Sequence, residues 1–333
     1  MAEGFTRQDG SAASADQSAA QSANRSADRS AAQSAAQSAE HLAAQLAAQL
    51  TEFLARHPKT LVLTGAGLST ASGIPDYRDR DGVRRGRPPI QGPEFRRSEL
   101  VRRRYWARSM IGWPVLAKAA PNAGHEALAA LEGAGRLGSL LTQNVDGLHQ
   151  RAGSHAVLEL HGNIHSVLCL DCGARMPRAF VQQQLVDANP HVAGAMATPL
   201  PDGDAQLEPD ALEDFRLPWC PHCNGTLMPD VVFFGDNVPP PRTACALAQM
   251  EAADALLVVG SSLMVYSGFR FCRLAAEGAK PIAAVNLGRT RADHLFKLKL
   301  EASAEALLPR VARLLGADNA PLPISEIKEK GEL

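Results

Sequence analysis

The sequence predicts an α/β protein with a doubly wound, Rossmann-like parallel sheet. Several short apolar runs have the length of buried strands, and alanine- and leucine-rich stretches of helical length lie between them. Strands that alternate with helices favour a parallel sheet covered on both faces. The predicted strands are Thr60–Thr64, Leu137–Thr142, Ala255–Gly260 and Pro281–Asn286, and two of the predicted helices are His125–Gly133 and Pro241–Ala252.

The segments that follow these four strands consist mostly of small or polar residues. In an open parallel sheet, ligands bind outside the carboxyl ends of the strands. Glycine lets backbone N–H groups approach a phosphate, and Ser, Asn and Asp side chains can bond ribose hydroxyls and amides. The four strand ends together predict a nucleotide site. They are Gly65-Ala66-Gly67, Gln143-Asn144-Val145-Asp146, Gly260-Ser261-Ser262 and Asn286-Leu287-Gly288.

The first strand end departs from the glycine pattern of NAD-dependent dehydrogenases. That pattern, G-x-G-x-x-G, requires a third glycine at position 70, where Thr70 stands. An acidic residue at the usual distance of about 20 residues, in an obvious second strand, is also missing. A hydride-transferring dehydrogenase is therefore the weaker alternative for this nucleotide site.

Composition argues against several classes of protein. The 333 residues carry 34 Lys and Arg against 35 Asp and Glu, so the charge balance does not call for a nucleic acid or a membrane surface as a partner. Apolar runs also fall short of the ~20 residues that a membrane-spanning helix needs.

The N-terminal region repeats in units of four residues, with Ser at every fourth position from Ser14 to Ser38 and Leu in the same phase from Leu42 to Leu54. The Ser part has no apolar face, which predicts a disordered or frayed tail over residues 1–40. The Leu part predicts an amphipathic helix from Leu42 to about Arg56. The tail contains acidic residues and no secretory apolar segment, so we expect a cytoplasmic protein.

Four of the six cysteines form two C-x-x-C pairs, and 47 residues separate the pairs. Cys169, Cys172, Cys220 and Cys223 supply four thiolates, which fill a tetrahedral shell and leave no position for a water molecule. This pattern predicts one structural Zn²⁺. A redox role is typical of a single C-x-x-C and is the alternative here. Cys245 and Cys272 lie in apolar helical stretches and are predicted to be core residues.

The strand pattern is interrupted twice. Residues 78–108 carry eleven Arg, no Lys and several Pro, which favours a solvated insertion or lid, and the cysteine pairs bracket the second interruption. The predicted organisation is a tail over 1–40, a Rossmann-like domain over 41–165 and 228–333 with a helical insertion at about 80–120, and a small zinc-binding domain over 166–227.

His161 follows the strand-like run Val157–Leu160 and precedes Gly162. A histidine at a strand end can point into a cleft and act as a base near neutral pH. A structural or merely exposed histidine is the more common alternative, and His149 and His165 have the same claim on composition alone.

Taken together, these motifs resemble those of the sirtuins, the NAD-dependent protein deacylases. They occur in the sirtuin order over about residues 42–315, and four further motifs resemble the class II branch. The first set is Gly65–Ser69, Gly73–Arg78, Thr142–His149, Leu160–Gly162, the two cysteine pairs, Pro229–Gly235 and Gly260–Leu263; the second is Arg104–Arg108, Gly112–Pro114, Pro201–Asp204 and Val265–Gly268.

The resemblance implies roles for individual residues. His161 matches the family's general base, and Asn144 and Asp146 act with it at the nicotinamide side. The implied NAD-binding residues are Gly65, Ala66, Gly67, Ser69, Thr70, Gly73, Ile74, Pro75, Asp76, Tyr77, Arg78, Arg85, Gln143, Asn144, Val145, Asp146, Gly260, Ser261, Ser262, Asn286, Leu287, Gly288 and Ala304. The acyl-lysine peptide is expected to pair as an extra strand near Val232, Phe233, Phe234 and Gly235, and near Val265–Ser267.

The reaction that the resemblance implies transfers an acyl group from lysine to ADP-ribose. The acyl oxygen attacks the anomeric carbon of the nicotinamide ribose and expels nicotinamide. His161 then deprotonates a ribose hydroxyl, which attacks the resulting imidate. An NAD-dependent protein ADP-ribosyltransferase on the same scaffold is the main alternative, and a non-enzymatic zinc module is a weaker one.

Tyr105 and Arg108 are candidates for selecting the acyl group. Residues three apart lie on one face of a helix. A Tyr-x-x-Arg pair resembles the one that selects acidic acyl groups in a related sirtuin class, because Arg can hold a carboxylate by two parallel hydrogen bonds. Arg108 as a plain surface charge is one alternative. A pocket for a long apolar or lipoyl chain near Trp106 and Trp113 is another.

Overall fold

The computed structural model describes residue 34 and residues 36–84, 89–192 and 214–317. Arg85, the repeat up to Gln33 and the Pro201–Asp204 motif lie outside the described residues. The chain divides into two compact units, Met1–Leu46 and Ala47–Leu333. The division of the second unit into an NAD-binding and a zinc-binding domain stays a prediction.

The first helix, α1, covers 36–56, so it begins before the predicted Leu42. In the second unit, Ala47, Leu50, Phe53 and Leu54 of this helix are buried, at the spacing of a single helical face. The remaining helices are α2 (Gly92–Arg97), α3 (Glu99–Lys118), α4 (Ala123–Gly133), α5 (Leu148–Arg151), α6 (Arg178–Ala188), α7 (Pro240–Ala252), α8 (Tyr266–Glu277) and α9 (Ala304–Leu314).

A six-stranded, all-parallel sheet lies at the centre of the second unit and confirms the predicted fold class. Its strands, in spatial order, are β3 (Val157–Glu159), β2 (Ser139–Thr142), β1 (Thr60–Thr64), β7 (Ala255–Val259), β8 (Ile282–Val285) and β9 (Leu298–Leu300). The four strands predicted from the sequence are thus confirmed, with bounds that differ by at most two residues. β1 and β7 are fully buried, as expected for strands covered on both faces.

The order of strands reverses at β1. From β1 the chain passes to β2 and β3 on one side, and β7, β8 and β9 fill the other side. Thr64 pairs with Thr142 of β2 and with Val259 of β7, so these three strands end at the same level. A crevice opens at such a reversal, beyond the carboxyl ends of the strands.

A second, antiparallel sheet contains β4 (Gly162–Cys169), β5 (Arg175–Pro177) and β6 (Leu227–Val231), with β4 in the middle. The aromatic cluster beside it includes Phe95, Tyr105, Trp106 and Phe233. Phe95 and Trp106 are almost completely buried, so the arginine-rich span is not the solvated insertion that its composition suggested. Its aromatic side chains bury enough apolar area to anchor α2 and α3.

Cys272 is buried as predicted, but the prediction for Cys245 is wrong, because it is exposed on α7. Ala246 and Met250 are the buried residues of this helix, and Cys245 points away from them into solvent. Among the described residues, no helix is both long enough and apolar enough to cross a lipid bilayer.

Candidate active site

A cavity of about 630 Å³ lies beyond the carboxyl ends of β1, β2, β7 and β8. The size is in the range of small-molecule and cofactor pockets. The four polar strand ends that the sequence singled out all contribute to its wall, so the structure brings them together. His161, which follows β3, also lines the cavity.

Most of the residues predicted to bind NAD or substrate line this cavity. They are Gly65, Ala66, Gly67, Ser69, Thr70, Ile74, Asp76, Tyr77, Arg78, Gln143, Asn144, Val145, Asp146, Gly260, Ser261, Ser262, Asn286, Leu287, Ala304, Tyr105, Val232, Phe233, Phe234 and Gly235. Four predicted residues lie elsewhere in the described part of the chain: Gly73, Pro75, Gly288 and Arg108.

The turns after β1 and β7 approach each other closely. The Gly67 amide donates to the Gly260 carbonyl at 2.8 Å, and Gly260 has a φ of 60°, in the left-handed region. A Cβ at Gly260 would clash with the backbone of Leu68 and Gly67. These turns present backbone without bulky side chains at the cavity, so the residues fit the phosphate-bearing part of NAD.

A hydrogen-bonded network forms the cavity floor beside this turn. The Asn144 amide group donates to the Gly65 carbonyl and to Ser69 Oγ, both at 3.1 Å. Ser69 in turn donates to Asp146 Oδ2 at 2.7 Å. The second oxygen of Asp146 accepts from the Leu148 amide at 3.0 Å. Since Asn144 and Asp146 are both buried, this network fixes the floor of the cavity without a ligand.

His161 is held at both of its ring nitrogens. Nδ1 lies 2.9 Å from the carbonyl oxygen of Gln143, and Nε2 lies 2.7 Å from Ser267 Oγ. Burial lowers the pKa of His161 to about 4, the Gln143 carbonyl opposes that shift, and the charge of Arg242 adds to it. The ring is therefore neutral at physiological pH and can accept a proton.

The backbone conformation and the close packing at position 162, next to His161, require a glycine. Its φ is 87°, and a Cβ there would clash with the Asp230 carbonyl of β6. The close approach lets the Val232 amide bond the His161 carbonyl at 2.8 Å. The backbone of His161 is thereby tied to the segment that lines the cavity after β6.

Two buried histidines below the floor were not assigned a role by the sequence. The Thr64 hydroxyl donates to Thr142 Oγ1 at 2.8 Å. The oxygen of the same Thr64 hydroxyl therefore accepts from His149 Nε2 at 2.9 Å. The ring of His149 lies 5.0 Å from the ring of His125. Burial lowers the pKa of His149 to about 3, and burial lowers that of His125 to about 4 against the opposing charge of Asp146. Both rings are thus neutral structural groups of the fold.

The four cysteines of the two C-x-x-C pairs come together, as predicted. Their Sγ atoms all lie within 4.8 Å of one another, with 3.6 Å between Cys169 and Cys223 and 3.7 Å between Cys172 and Cys220. Four ligands at the usual Zn–S distance of about 2.3 Å lie about 3.8 Å apart at the corners of a tetrahedron. The four-cysteine cluster therefore fits a structural zinc ion and has no open coordination position.

The aromatic side chains of Tyr105 and Phe233 form part of the cavity wall. The Tyr105 ring lies 5.4 Å from the Phe233 ring, and Phe95 packs against both. Of the predicted acyl-selecting pair, Tyr105 lines the cavity, whereas Arg108 is half-buried on the same helix outside it.

Arg84 is a cavity residue that the sequence did not identify. Its guanidinium carbon lies 4.9 Å from the centre of the Phe234 ring and 6.0 Å from that of Tyr77. Its Nε is buried, with no hydrogen-bond partner in the described part of the chain. Arg84 therefore brings a guanidinium group to the cavity wall. Among many arginines in this span, no sequence signal distinguished Arg84.

The comparisons with known proteins agree with this geometry. The sequence profile of the Sir2 family matches residues 65–267. An NAD-dependent protein deacetylase 3 of Pseudomonas syringae pv. tomato is 52% identical over 256 residues, which cover 77% of this chain and 91% of that protein. An NAD-dependent protein deacetylase of Xanthomonas axonopodis pv. citri is 56% identical over 257 residues, which cover 77% and 88%.

Solved structures show the same fold. A structure described as Sir2 with p53 peptide and NAD⁺ superimposes with a TM-score of 0.64 at 29% identity, covering 80% of this chain and 98% of that one. A second structure, described as a basis for the mechanism and regulation of Sir2 enzymes, gives a TM-score of 0.64 at 32% identity, covering 81% and 99%.

Proposed function

The chain belongs to the Sir2 family, and from this premise we propose that His161 is the general base of its reaction. The protein is an NAD-dependent protein-lysine deacylase. The observation that carries the assignment of His161 is its place in the cavity: a neutral imidazole lines the same cavity as the glycine turns and the buried Asn144 and Asp146. The names of the relatives favour deacylation over the ADP-ribosyltransferase alternative.

NAD, when bound, supplies the ADP-ribose group that accepts the acyl group, with nicotinamide as the leaving group. The glycine turns after β1 and β7 would hold its phosphates, and Asn286 and Ala304 would lie on the adenosine side. The network of Asn144, Ser69 and Asp146 keeps the nicotinamide side of the cavity in place before any ligand arrives.

His161 moves a proton during the reaction. The carbonyl of Gln143 can only accept a hydrogen bond, so Nδ1 carries the hydrogen and Nε2 carries the lone pair. The proton of the attacking hydroxyl therefore arrives at Nε2. The Gln143 bond keeps the ring in this tautomer and stabilises the imidazolium that forms.

The substrate is an acyl-lysine in a protein or peptide. We place its backbone along Val232–Gly235, because this segment lines the cavity directly after the His161–Val232 hydrogen bond. Within the cavity, Tyr105 and Arg84 offer a hydroxyl and a cation that suit an acyl chain ending in a carboxylate.

The cytoplasm is the compartment that we propose. A four-cysteine zinc site needs reduced thiols, and reducing conditions prevail there. Cys245, exposed on α7, would also persist as a free thiol in that compartment.

The test is an assay of the purified full-length chain with NAD and a panel of acyl-lysine peptides, including acetyl, succinyl, glutaryl and lipoyl forms. Mass spectrometry of each peptide and of the small-molecule products follows the reaction. The expected result is loss of the acyl group with release of nicotinamide and O-acyl-ADP-ribose. A peptide or protein that gains ADP-ribose instead would contradict the proposal and support the transferase alternative.

A further inference from the structure

The lone pair of the proposed base faces a hydroxyl group of the protein. Nδ1 of His161 donates to the Gln143 carbonyl, so Nε2 is the acceptor nitrogen of the neutral ring. Ser267 Oγ lies 2.7 Å from Nε2 and must therefore donate its hydrogen to it. A substrate hydroxyl that approaches Nε2 meets Ser267 first, and the reaction described above gives Ser267 no role.

The first turn of α8 fixes Ser267 in this position. The amides of Gly268 and Phe269 bond the carbonyl of Val265 at 3.2 and 3.1 Å, which closes the turn around Ser267. On the other side, Gly268 packs against the Gln143 side chain so closely that a Cβ there would clash with it. Gln143 thus touches the turn that carries Ser267 and also binds Nδ1 of His161, so the hydroxyl and the imidazole are held in one rigid arrangement.

The Ser267 hydroxyl has capacity for one more partner. A hydroxyl offers one hydrogen and two lone pairs, and in the described residues its one hydrogen bond is the donation to Nε2. Ser267 and His161 both line the cavity. The free lone pairs of Oγ can therefore accept a hydrogen bond from a substrate hydroxyl in the cavity while the bond to Nε2 persists.

We propose that Ser267 is a catalytic residue that passes the proton of the substrate hydroxyl to His161. This inference rests on the proposed function. The substrate O–H bond breaks as its proton moves to Ser267 Oγ, and the Ser267 O–H bond breaks as its own proton moves to Nε2. The electron pair left on the substrate oxygen forms the bond to the acyl carbon. Ser267 ends with one hydrogen, as it began, and His161 becomes an imidazolium.

The kinetic test compares Ser267→Ala and Ser267→Thr with the unaltered chain. Two rates are measured for each: net deacylation, and exchange of labelled nicotinamide into NAD, which reports the step before proton removal. For Ser267→Ala we expect deacylation to fall by about 10²-fold while exchange stays near the original rate. Ser267→Thr keeps the hydroxyl and should restore most of the deacylation. Arg273→Gln, on the exposed face of the same helix, is the control and should change neither rate.

Two kinetic outcomes would overturn the relay. Unchanged deacylation by Ser267→Ala would mean that the substrate hydroxyl reaches Nε2 directly. An equal fall of exchange and deacylation would mean that Ser267 places the substrates instead. If the unaltered chain showed no NAD-dependent deacylation at all, the proposed function itself would fail, so the two failures are distinguishable.

A second measurement uses the free protein. In ¹⁵N spectra of ring-labelled protein at neutral pH, His161 should show a protonated Nδ1 and a hydrogen-bonded, unprotonated Nε2. Ser267→Ala should move the Nε2 resonance toward that of an acceptor without a donor and leave Nδ1 nearly unchanged. A hydrogen on Nε2 in the unaltered protein would contradict the relay, because that nitrogen would then have no lone pair to receive the proton.

Discussion

The floor of the cavity at the strand ends and the four-cysteine cluster both consist of polar groups, but different interactions stabilise them. In the floor, Asn144, Ser69 and Asp146 satisfy one another through short hydrogen bonds. In the cluster, the thiols of Cys169 and Cys223 face each other at 3.6 Å and are suited to a cation that the protein does not supply. The floor is complete without a ligand, whereas the cluster depends on its metal. We therefore expect that mutation of a reacting side chain in the cavity leaves the chain folded. Mutation of a cysteine in the cluster should instead destabilise the fold.

Loss of a zinc ligand should have the largest effect. Binding of structural zinc supplies about 10–16 kcal/mol of apparent folding free energy in isolated zinc-finger peptides. For Cys220→Ser we expect loss of stoichiometric zinc, a lower melting temperature and a parallel loss of deacylation. Metal analysis, thermal unfolding and the peptide assay measure these three quantities. Cys245→Ser, at an exposed cysteine outside the cluster, is the matched control.

If Cys220→Ser lost its zinc but kept the melting temperature of the unaltered chain, the cluster would not depend on its metal for stability. Zinc would then act in the reaction, and the cluster would not be the structural element that its closed coordination shell indicates.

Loss of the proposed base should reduce activity without reducing stability. For His161→Ala we expect kcat/KM to fall by about 10²–10⁴-fold, which is the usual contribution of general acid–base catalysis. The melting temperature and NAD affinity should change little, because the ring is bonded to one carbonyl and one hydroxyl at the cavity surface. His155→Ala, at an exposed histidine, serves as the control. Deacylation at the original rate by His161→Ala would remove it from the mechanism.

Acidification tests whether the cavity region is held by neutral buried histidines. Burial gives His161, His125 and His149 folded-state pKa values of about 4, about 4 and about 3, below the unfolded value of 6.5. At a pH between the folded-state and the unfolded-state pKa, the unfolded chain binds more protons than the folded chain. The free energy of unfolding should therefore fall as the pH is lowered from about 6.5 toward about 4. Each histidine contributes up to about 1.4 kcal/mol per pH unit in this window.

Urea unfolding at a series of pH values measures this dependence. Acid also releases zinc, so the informative comparison is with His149→Gln, which should show a shallower dependence on pH in the same window. His155→Gln should leave the dependence unchanged. Equal slopes for the His149 variant and the unaltered chain would mean that His149 has the same pKa in the folded and the unfolded chain.

Acyl selectivity should show a smaller effect. Arg84 lines the cavity with its guanidinium over Phe234, and Arg108 lies outside it. Arg84→Met keeps the stem and removes the charge, so we expect the ratio of desuccinylation to deacetylation to fall by about tenfold, the value of a charged hydrogen bond of ~1.5 kcal/mol. Arg108→Met should change the ratio less. A larger fall of the ratio for Arg108→Met than for Arg84→Met would indicate that the helical Tyr105–Arg108 pair selects the acyl group.

Removal of the tail should have the smallest effect. Residues 1–40 contain no large apolar side chain after Phe5, so they have little to contribute to a core. A chain that begins at Glu40 should keep the melting temperature and kcat/KM of the full chain. A marked fall in kcat/KM with the melting temperature unchanged would give the repeat a part in substrate capture.

The features that the sequence predicted correctly are those set by neighbouring residues. The strands β1, β2, β7 and β8 are short apolar runs, and their burial on both faces follows from that composition. The cysteine spacing alone indicated a metal site, because each C-x-x-C places two thiolates in one turn. The motif order indicated His161 and the strand ends, and the structure places both in one cavity.

The features that the sequence did not reveal depend on contacts between distant segments. Arg178 is completely buried at the start of α6, and its guanidinium carbon lies 5.3 Å from the Trp106 ring and 5.0 Å from the Trp113 ring. In the sequence, Arg178 does not differ from other charged residues, because its burial depends on the packing of α6 on α3. Cys245 illustrates the converse error, since apolar composition placed it in the core and the orientation of α7 exposes it.

The sequence by itself thus determined the fold class, the four-cysteine cluster and the polar strand ends that line the cavity, because periodicity, spacing and strand-end composition are local properties of the chain. Only the tertiary structure decided that Ser267, 106 residues from His161, donates to Nε2, and that Arg84 lines the cavity while Arg108 does not. The physical reason is that a hydrogen bond depends on the distance and direction between two atoms. When the two atoms belong to segments far apart in the chain, the packing of the sheet and helices sets this distance and direction. Neither segment alone then carries a sequence pattern that reveals the hydrogen bond.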